Sequence, residues 1–175
     1  MSEHPEPAMT IREAGIEDAA RLSLVSNATF LETFAGMIDG AALLAHCDKH
    51  HEAAYLAKLL EGGARAWLAD VDGAPVGYAL LNQPELEAAE RGDIELKKIY
   101  VLSRFHGSGI AKRLFDTVLQ AAAGNDRLLL GVKKDNHRAI GFYRKHGFTQ
   151  IATRRFDVGG KLYDDVVLAR DLDRT

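Results

Sequence analysis

Cysteine is nearly absent from these 175 residues, with Cys47 the only one. A lone thiol excludes an internal disulfide and any zinc cage built on cysteines. The chain has four prolines and 16 glycines, and these exclude a collagen-like or proline-rich protein. No apolar run approaches the ~18 residues that span a membrane. The opening stretch MSEHPEPAM carries two acids and two prolines and no apolar segment, so it is not expected to act as a signal peptide. These absences point to a soluble, cytoplasmic protein in a reducing compartment, with neither a membrane nor a nucleic acid as partner. Hydrophobic residues at 47% and charged residues at 27% give a globular composition. The length suits one domain of ordinary size. Residues 1–8 are expected to form a disordered tail and residues 9–175 a single domain.

The net charge of −3 hides an asymmetry. Residues 1–94 hold 6 basic and 16 acidic side chains, whereas residues 95–150 hold 11 basic and 4 acidic ones. A basic middle beside an acidic first half suits an anionic ligand on one part and a cationic one near the other, although solvated surfaces produce the same counts.

Periodicity orders the chain. Met9–Arg12 alternates as a short strand, and Asp18 opens a helical run through Leu22, Val25 and Ala28. Residues 41–60 read as one helix stopped by Gly62 and Gly63. Asp72-Gly73 between two apolar runs marks a β-hairpin. A polar loop, Asn82–Gly92, precedes a strand over Ile94–Leu102. The helix over Gly109–Ala123 has Ile110, Leu114, Phe115, Val118 and Ala122 on one face. A short buried strand follows over Arg127–Val132, then a helix over Asn136–His146. Two last strands, Thr149–Phe156 and Leu162–Leu168, join at Gly159-Gly160. The expected class is α/β (α+β), a mixed layer structure with meander strands first and β-α-β-α-β later.

The informative stretch is Ile94–Gly147. A strand ends near Leu102, a turn with Gly107 and Gly109 follows, and a helix begins at once. Free N–H groups at that helix start, together with the helix dipole, form a cradle for a diphosphate, and the glycines let it approach the backbone. Lys112, Arg113 and Arg104 are placed to pair with further phosphate oxygens. The Gly-Lys-Ser/Thr triplet of a Walker loop is absent. The dinucleotide fingerprint fails because Lys112 stands where its third glycine belongs.

This stretch resembles the GNAT superfamily of N-acetyltransferases. His106-Gly107-Ser108-Gly109-Ile110-Ala111 fits the family's Q/R-x-x-G-x-G/A frame, with His106 replacing Gln or Arg. The overlapping frame Arg104–Gly109 fits the letters better, but the first keeps the spacing from Val101 and buries Ile110 and Leu114. The second signature is Asn136-x-x-Ala139-x-x-Phe142-Tyr143-x-x-x-Gly147-Phe148. The resemblance implies a GNAT fold, with a mostly antiparallel sheet of six to seven strands flanked by about four helices. It also implies acetyl-CoA as donor, a primary amine as acceptor, and no metal. Main-chain groups of Ile99 and Val101 would hold the pantetheine arm, and the Val101 N–H would face the oxygen on which negative charge develops.

An amine with a pKa near ~10 must lose a proton before it attacks. Glu95 is the candidate base, directly or through water. Strict alternation places it on one face with Lys97, Ile99 and Val101 unless a bulge intervenes. A plain ion pair with Lys97 is the competing role. Tyr143 is the candidate acid for the departing thiolate, and Asn136, seven residues earlier, shares its helical face. Cys47 reads as a small buried apolar residue, so attack is expected to be direct, in a ternary complex. Spacings among His46, Cys47, His50 and His51 that would suit zinc are read as a His-rich helix surface.

Acceptor choice is expected from the first two helices, with Glu32 and Asp48 as contact candidates. Thr29–Phe34 together with Glu95–Val101 resembles bacterial PaiA-type polyamine N-acetyltransferases, which fits the acidic first half. Two alternatives stand beside a small-molecule acceptor. One is a protein N-terminal or lysine acetyltransferase, and the other is an acetyl-CoA-binding sensor without turnover. A second copy of the chain is left open as a partner.

Overall fold

A computed structural model describes residues 8–173; the tail expected over residues 1–8 lies almost wholly outside them. Seven strands and five α-helices follow one another: β1 Met9–Ala14, α1 Ala19–Phe34, α2 Gly40–His50, α3 Ala53–Glu61, β2 Arg65–Val71, β3 Ala74–Asn82, β4 Ile94–Val101, α4 Ile110–Ala122, β5 Arg127–Lys133, α5 His137–Lys145, β6 Thr149–Val158 and β7 Lys161–Asp171. The strands form one sheet in the order β1-β2-β3-β4-β5-β7-β6. Every pairing is antiparallel except β4 with β5. A parallel pair needs a crossover, and α4 supplies it.

The expected helix over residues 41–60 is in fact two. His51 leaves the helical region and Glu52 is extended (φ −68°, ψ 146°), where it caps α3. The break raises the helix count from about four to five. It also turns the His51 ring inward, leaving the residue 2% exposed. An unbroken amphipathic stripe would not place a polar ring there.

Both faces of the sheet are covered. On one face α4 and α5 bury Leu114, Phe115, Val118 and Tyr143 against Trp67, Leu96, Leu128 and Leu130. On the other, α1 and α3 bury Leu22, Val25 and Leu56 against Leu68, Tyr78 and Leu80. Farther along that second face Phe30 and Phe34 of α1 meet Leu43 of α2 and Val158 of β6. Each such side chain contributes about 1.5–3 kcal/mol relative to exposure.

Two buried acids fasten parts of this arrangement. Asp93 takes a forked bond from Arg127, at 3.1 and 2.7 Å, where β4 and β5 begin side by side. Asp18 takes a similar fork from Arg12, at 2.9 and 2.7 Å, and accepts from the Gly15 N–H at 3.0 Å. The Arg12 bonds are the main reason the Asp18 carboxyl falls to about 2. A carboxyl depressed in the folded state stabilises the fold above its unfolded pKa, and the stabilisation fades as pH falls toward the folded value. Asp18→Asn is therefore expected to cost about 1–2 kcal/mol at pH 7, a value reduced because Arg12 is half in water. Denaturant titrations of the two proteins should converge as pH falls from about 4 to about 2.

Candidate active site

The site begins where a sheet ladder stops. β4 and β5 are paired only at Ile94–Leu128 and Glu95–Leu129. Beyond those pairs β5 stays with β7, as far as Lys133 opposite Asp165, and β4 stays with β3, as far as Val101 opposite Gly77. The two strands diverge and leave an opening between them. The Leu102 N–H donates to Val76 at 2.8 Å, so alternation aims the main-chain groups of Ile99 and Val101 away from β3 and into the opening. Such unpaired edge groups need a partner.

The first cavity fills this opening. Ile99, Val101, His106 and Ala111 line one side, and Asn136, Ala139, Phe142 and Tyr143 line the other. Its floor leads to the start of α4. There Gly107 has φ +82° and Gly109 has φ +88°, in the left-handed region that other residues avoid. A Cβ on either glycine would project into open space, so a side chain there would occupy the cradle itself. Among the described residues the N–H groups of Gly107, Gly109, Ala111 and Lys112 have no protein partner. A helix N-terminus with free donors and open space above it fits a diphosphate.

The His106 ring nitrogen Nε2 meets the Val101 carbonyl at 2.8 Å. This side chain therefore ties the loop to the end of β4, and the Val101 N–H stays free. The Ser108 hydroxyl donates to the Phe105 carbonyl and tightens the same loop. Ile110 is buried beneath the loop, as the preferred frame requires. Lys112 is exposed and pairs with Asp116 at 2.7 Å, Arg113 reaches the Met9 sulfur at 3.4 Å, and Arg104 lies over the Phe105 ring. All three cations stand around the loop without lining the first cavity.

Asn136 caps α5, its side chain accepting from the Ala139 N–H at 3.3 Å, which leaves its amide N–H groups for the cavity. Tyr143 is 8% exposed, and burial raises its hydroxyl well above the ordinary phenol range. It therefore keeps its proton at any working pH.

A second cavity lies on the other face of β4. His46, His50 and His51 line it, together with Glu95, Lys97 and Lys98. The register slips between β3 and β4 so that Leu80 faces Lys98 while Leu81 faces Leu96. Lys97 is thus the extra residue of a bulge. Ile94 and Leu96 before it, and Ile99 and Val101 after it, all join the α4 face. Strict alternation fails here, and Glu95 faces the second cavity instead of sharing a face with Ile99 and Val101. Glu95 is 3% exposed. It accepts from the Glu85 N–H at 2.9 Å and pairs with Lys97 at 3.0 Å. The ion pair with Lys97 exists, but in a buried setting.

Glu32 and Asp48 line neither cavity. Glu32 accepts from the Ser103 N–H at 2.7 Å and so fixes the loop after β4; Asp48 is exposed on α2. Several acids of the N-terminal half are engaged by cations: Glu13 by Arg65, Asp18 by Arg12, Asp39 by Lys161 and Asp93 by Arg127. The acidic total of that half therefore does not collect around the second cavity. Among the described residues no group of three or more His, Cys, Asp and Glu side chains is arranged to hold a metal ion. No helix of the described residues is long and apolar enough to cross a membrane. The expected His-rich helix surface is not found: His46 and His51 turn inward, 3% and 2% exposed, and Lys98 at the junction of the cavities was not singled out from the sequence. Their periodicity marks a helix and a strand, and only the helix break and the bulge aim them.

A splayed parallel pair beside a helix start with free N–H donors, and a buried tyrosine at the gap, is an arrangement suited to an acyltransferase that draws on a coenzyme A thioester. The chain belongs to the acetyltransferase (GNAT) family, whose model matches residues 29–148, and it is an acetyl-CoA-dependent N-acetyltransferase. It is 37% identical to an uncharacterised N-acetyltransferase of Mycobacterium tuberculosis (strain ATCC 25618 / H37Rv) over 158 residues, 89% of this chain and 98% of that one. Its fold matches the PaiA N-acetyltransferase of Thermoplasma acidophilum in complex with coenzyme A (TM-score 0.76, 19% identity, 94% of this chain and 99% of that one). It also matches yncA of Salmonella typhimurium with its cofactor acetyl-CoA (TM-score 0.68, 25% identity, 96% of each chain).

Gly109→Val forces a branched side chain into left-handed backbone and fills the cradle. Calorimetry is expected to show coenzyme A affinity reduced about 10-fold or more. Unchanged affinity would remove the loop from the diphosphate site.

Proposed function

We propose that the protein moves the acetyl group of acetyl-CoA to a primary amine of a small molecule, by direct attack within a ternary complex. The observation that carries this reading is that two cavities open onto the same stretch of β4, at Lys97 and Lys98, from opposite faces of the sheet. One has the features of a donor site and the other those of an acceptor site. Bound acetyl-CoA supplies an acetyl group activated as a thioester.

The chain's own groups divide the work. The N–H groups of Gly107, Gly109, Ala111 and Lys112 hold the diphosphate, with Arg104, Lys112 and Arg113 adding charge around it. Main-chain groups of Ile99 and Val101 and the Asn136 amide orient the pantetheine arm, with Ala139 packing against it. The free Val101 N–H stabilises the oxygen on which charge develops. Glu95 takes the proton of the incoming amine, directly or through water. The Tyr143 hydroxyl gives its proton to the departing sulfur.

Cys47 has no part in this scheme. It lies in α2 outside both cavities, and burial raises its thiol pKa, so it is a poor nucleophile. The loop after β3 supports a small acceptor over a peptide. Leu86 is buried and the Glu85 backbone is tied to Glu95, so the loop closes down beside the second cavity. A polyamine remains a candidate amine, although the ion pairing of the N-terminal acids weakens the charge argument for it.

Tyr143→Phe is expected to lower kcat by about 10²-fold while coenzyme A affinity stays the same; undiminished turnover would take Tyr143 out of the mechanism. Glu95→Gln should lower kcat and change the shape of the pH–rate profile. A profile that superimposes on the wild type would exclude Glu95 as the base.

A further inference from the structure

Lys97 and Lys98 line both main cavities, and of the two only Lys98 makes no direct ion pair among the described residues. Lys97 is paired with Glu95 and Glu85, each at 3.0 Å. Arg154, at the edge of the second cavity, is paired with Asp165 at 3.1 Å. Lys98 has no hydrogen bond or close ion pair among the described residues; its Nζ lies over the Phe30 ring, 5.7 Å from the centroid, and Asp165 and Glu95 act on its charge only at longer range. Burial lowers its pKa to about 8, so it is still mostly charged at pH 7.

Two more polar groups near it are also unsatisfied. His46 and His51 are 3% and 2% exposed. His46 stacks on the Phe30 ring at 4.8 Å and His51 lies tilted against it at 4.9 Å, the two imidazoles themselves 5.4 Å apart. All four of their ring nitrogens are buried without a protein partner. Burial, assisted by the Lys98 charge, lowers the two rings to about 4 and about 3. Each is therefore neutral and offers one N–H donor. Buried polar groups in native proteins are almost always satisfied, and these two unsatisfied rings line the second cavity beside the Lys98 ammonium. A cation with neutral N–H donors around it suits a carboxylate. Because Lys98 borders the donor cavity too, that carboxylate would lie only a few bonds from the reacting nitrogen.

We infer that the acceptor is an amino-carboxylate of the α-amino acid type, its carboxylate held by Lys98 with the rings of His46 and His51. This deepens the proposed acetyl transfer and rests on it for the direction in which the amine points. It also separates the acceptor from a polyamine, which would bring positive charge to an unpaired ammonium.

The test compares wild type, Lys98→Met and Lys98→Arg, each with acetyl-CoA. The acceptors are α-amino acids, their carboxamides, the corresponding decarboxylated amines and spermidine. In wild type the carboxylates are expected to exceed the carboxamides by about 10- to 100-fold in kcat/KM. Lys98→Met should level the two, and Lys98→Arg should keep most of the preference. Calorimetric binding of the amino acids should follow the same order. Carboxamides or spermidine equal to the carboxylates in wild type would overturn the inference, and so would a preference that survives Lys98→Met. The wild-type comparison decides by itself if Lys98→Met fails to fold. Acetylation without carboxylate preference rejects the carboxylate site and leaves acetyl transfer standing. Lys98-dependent carboxylate binding without acetylation does the reverse.

Discussion

The hydrogen bonds that β4 and β5 fail to make govern this protein's chemistry. After Glu95 and Leu129 the two central strands part, and each keeps its other neighbour. The break exposes main-chain groups of Ile99 and Val101 in the middle of a sheet, where a closed ladder would have consumed them. It also makes room between α4 and α5 for an extended ligand. An unbroken parallel pair would be more stable and would have no site. Arg127 on Asp93 fastens the two strands where they begin, so the separation starts from a fixed point.

A second irregularity gives the break its two-sidedness. The bulge at Lys97 changes the phase of β4, so that Leu96, Ile99 and Val101 serve the α4 face while Glu95 and Lys98 serve the α1 face. Side chains that line the two cavities thereby alternate along a few residues of one strand. In the proposed transfer, the proximity of donor and acceptor is then a property of strand geometry.

Much of this was legible in the chain. The glycine loop before α4 can be read because its requirements are local: a strand end, glycines at Gly107 and Gly109 that tolerate left-handed backbone, and a helix start immediately after. Asn136 and Tyr143 can be read for the same reason, since seven residues on a helix fix a shared face. The acceptor side was much less legible. Glu32 carries the expected charge but spends it on the Ser103 N–H, because α1 crosses the loop after β4. Asp48 points to water. The helix over residues 41–60 looked continuous because its apolar residues keep the period across the break at His51 and Glu52.

The sequence by itself determined the family, most of the elements, the glycine loop before α4 and the placing of Asn136 and Tyr143 on one side of α5, since each depends on contacts within a few residues along the chain. The tertiary structure alone decided which face Glu95 occupies, that His46 and His51 turn inward with unpartnered ring nitrogens, and that Lys98 lies between two cavities without a direct ion pair among the described residues. Those facts depend on a one-residue slip against β3 and on α1, α2 and β6 meeting over the same patch. Periodicity cannot record such meetings, because the partners are distant in sequence and each is compatible with many neighbours until the sheet fixes one.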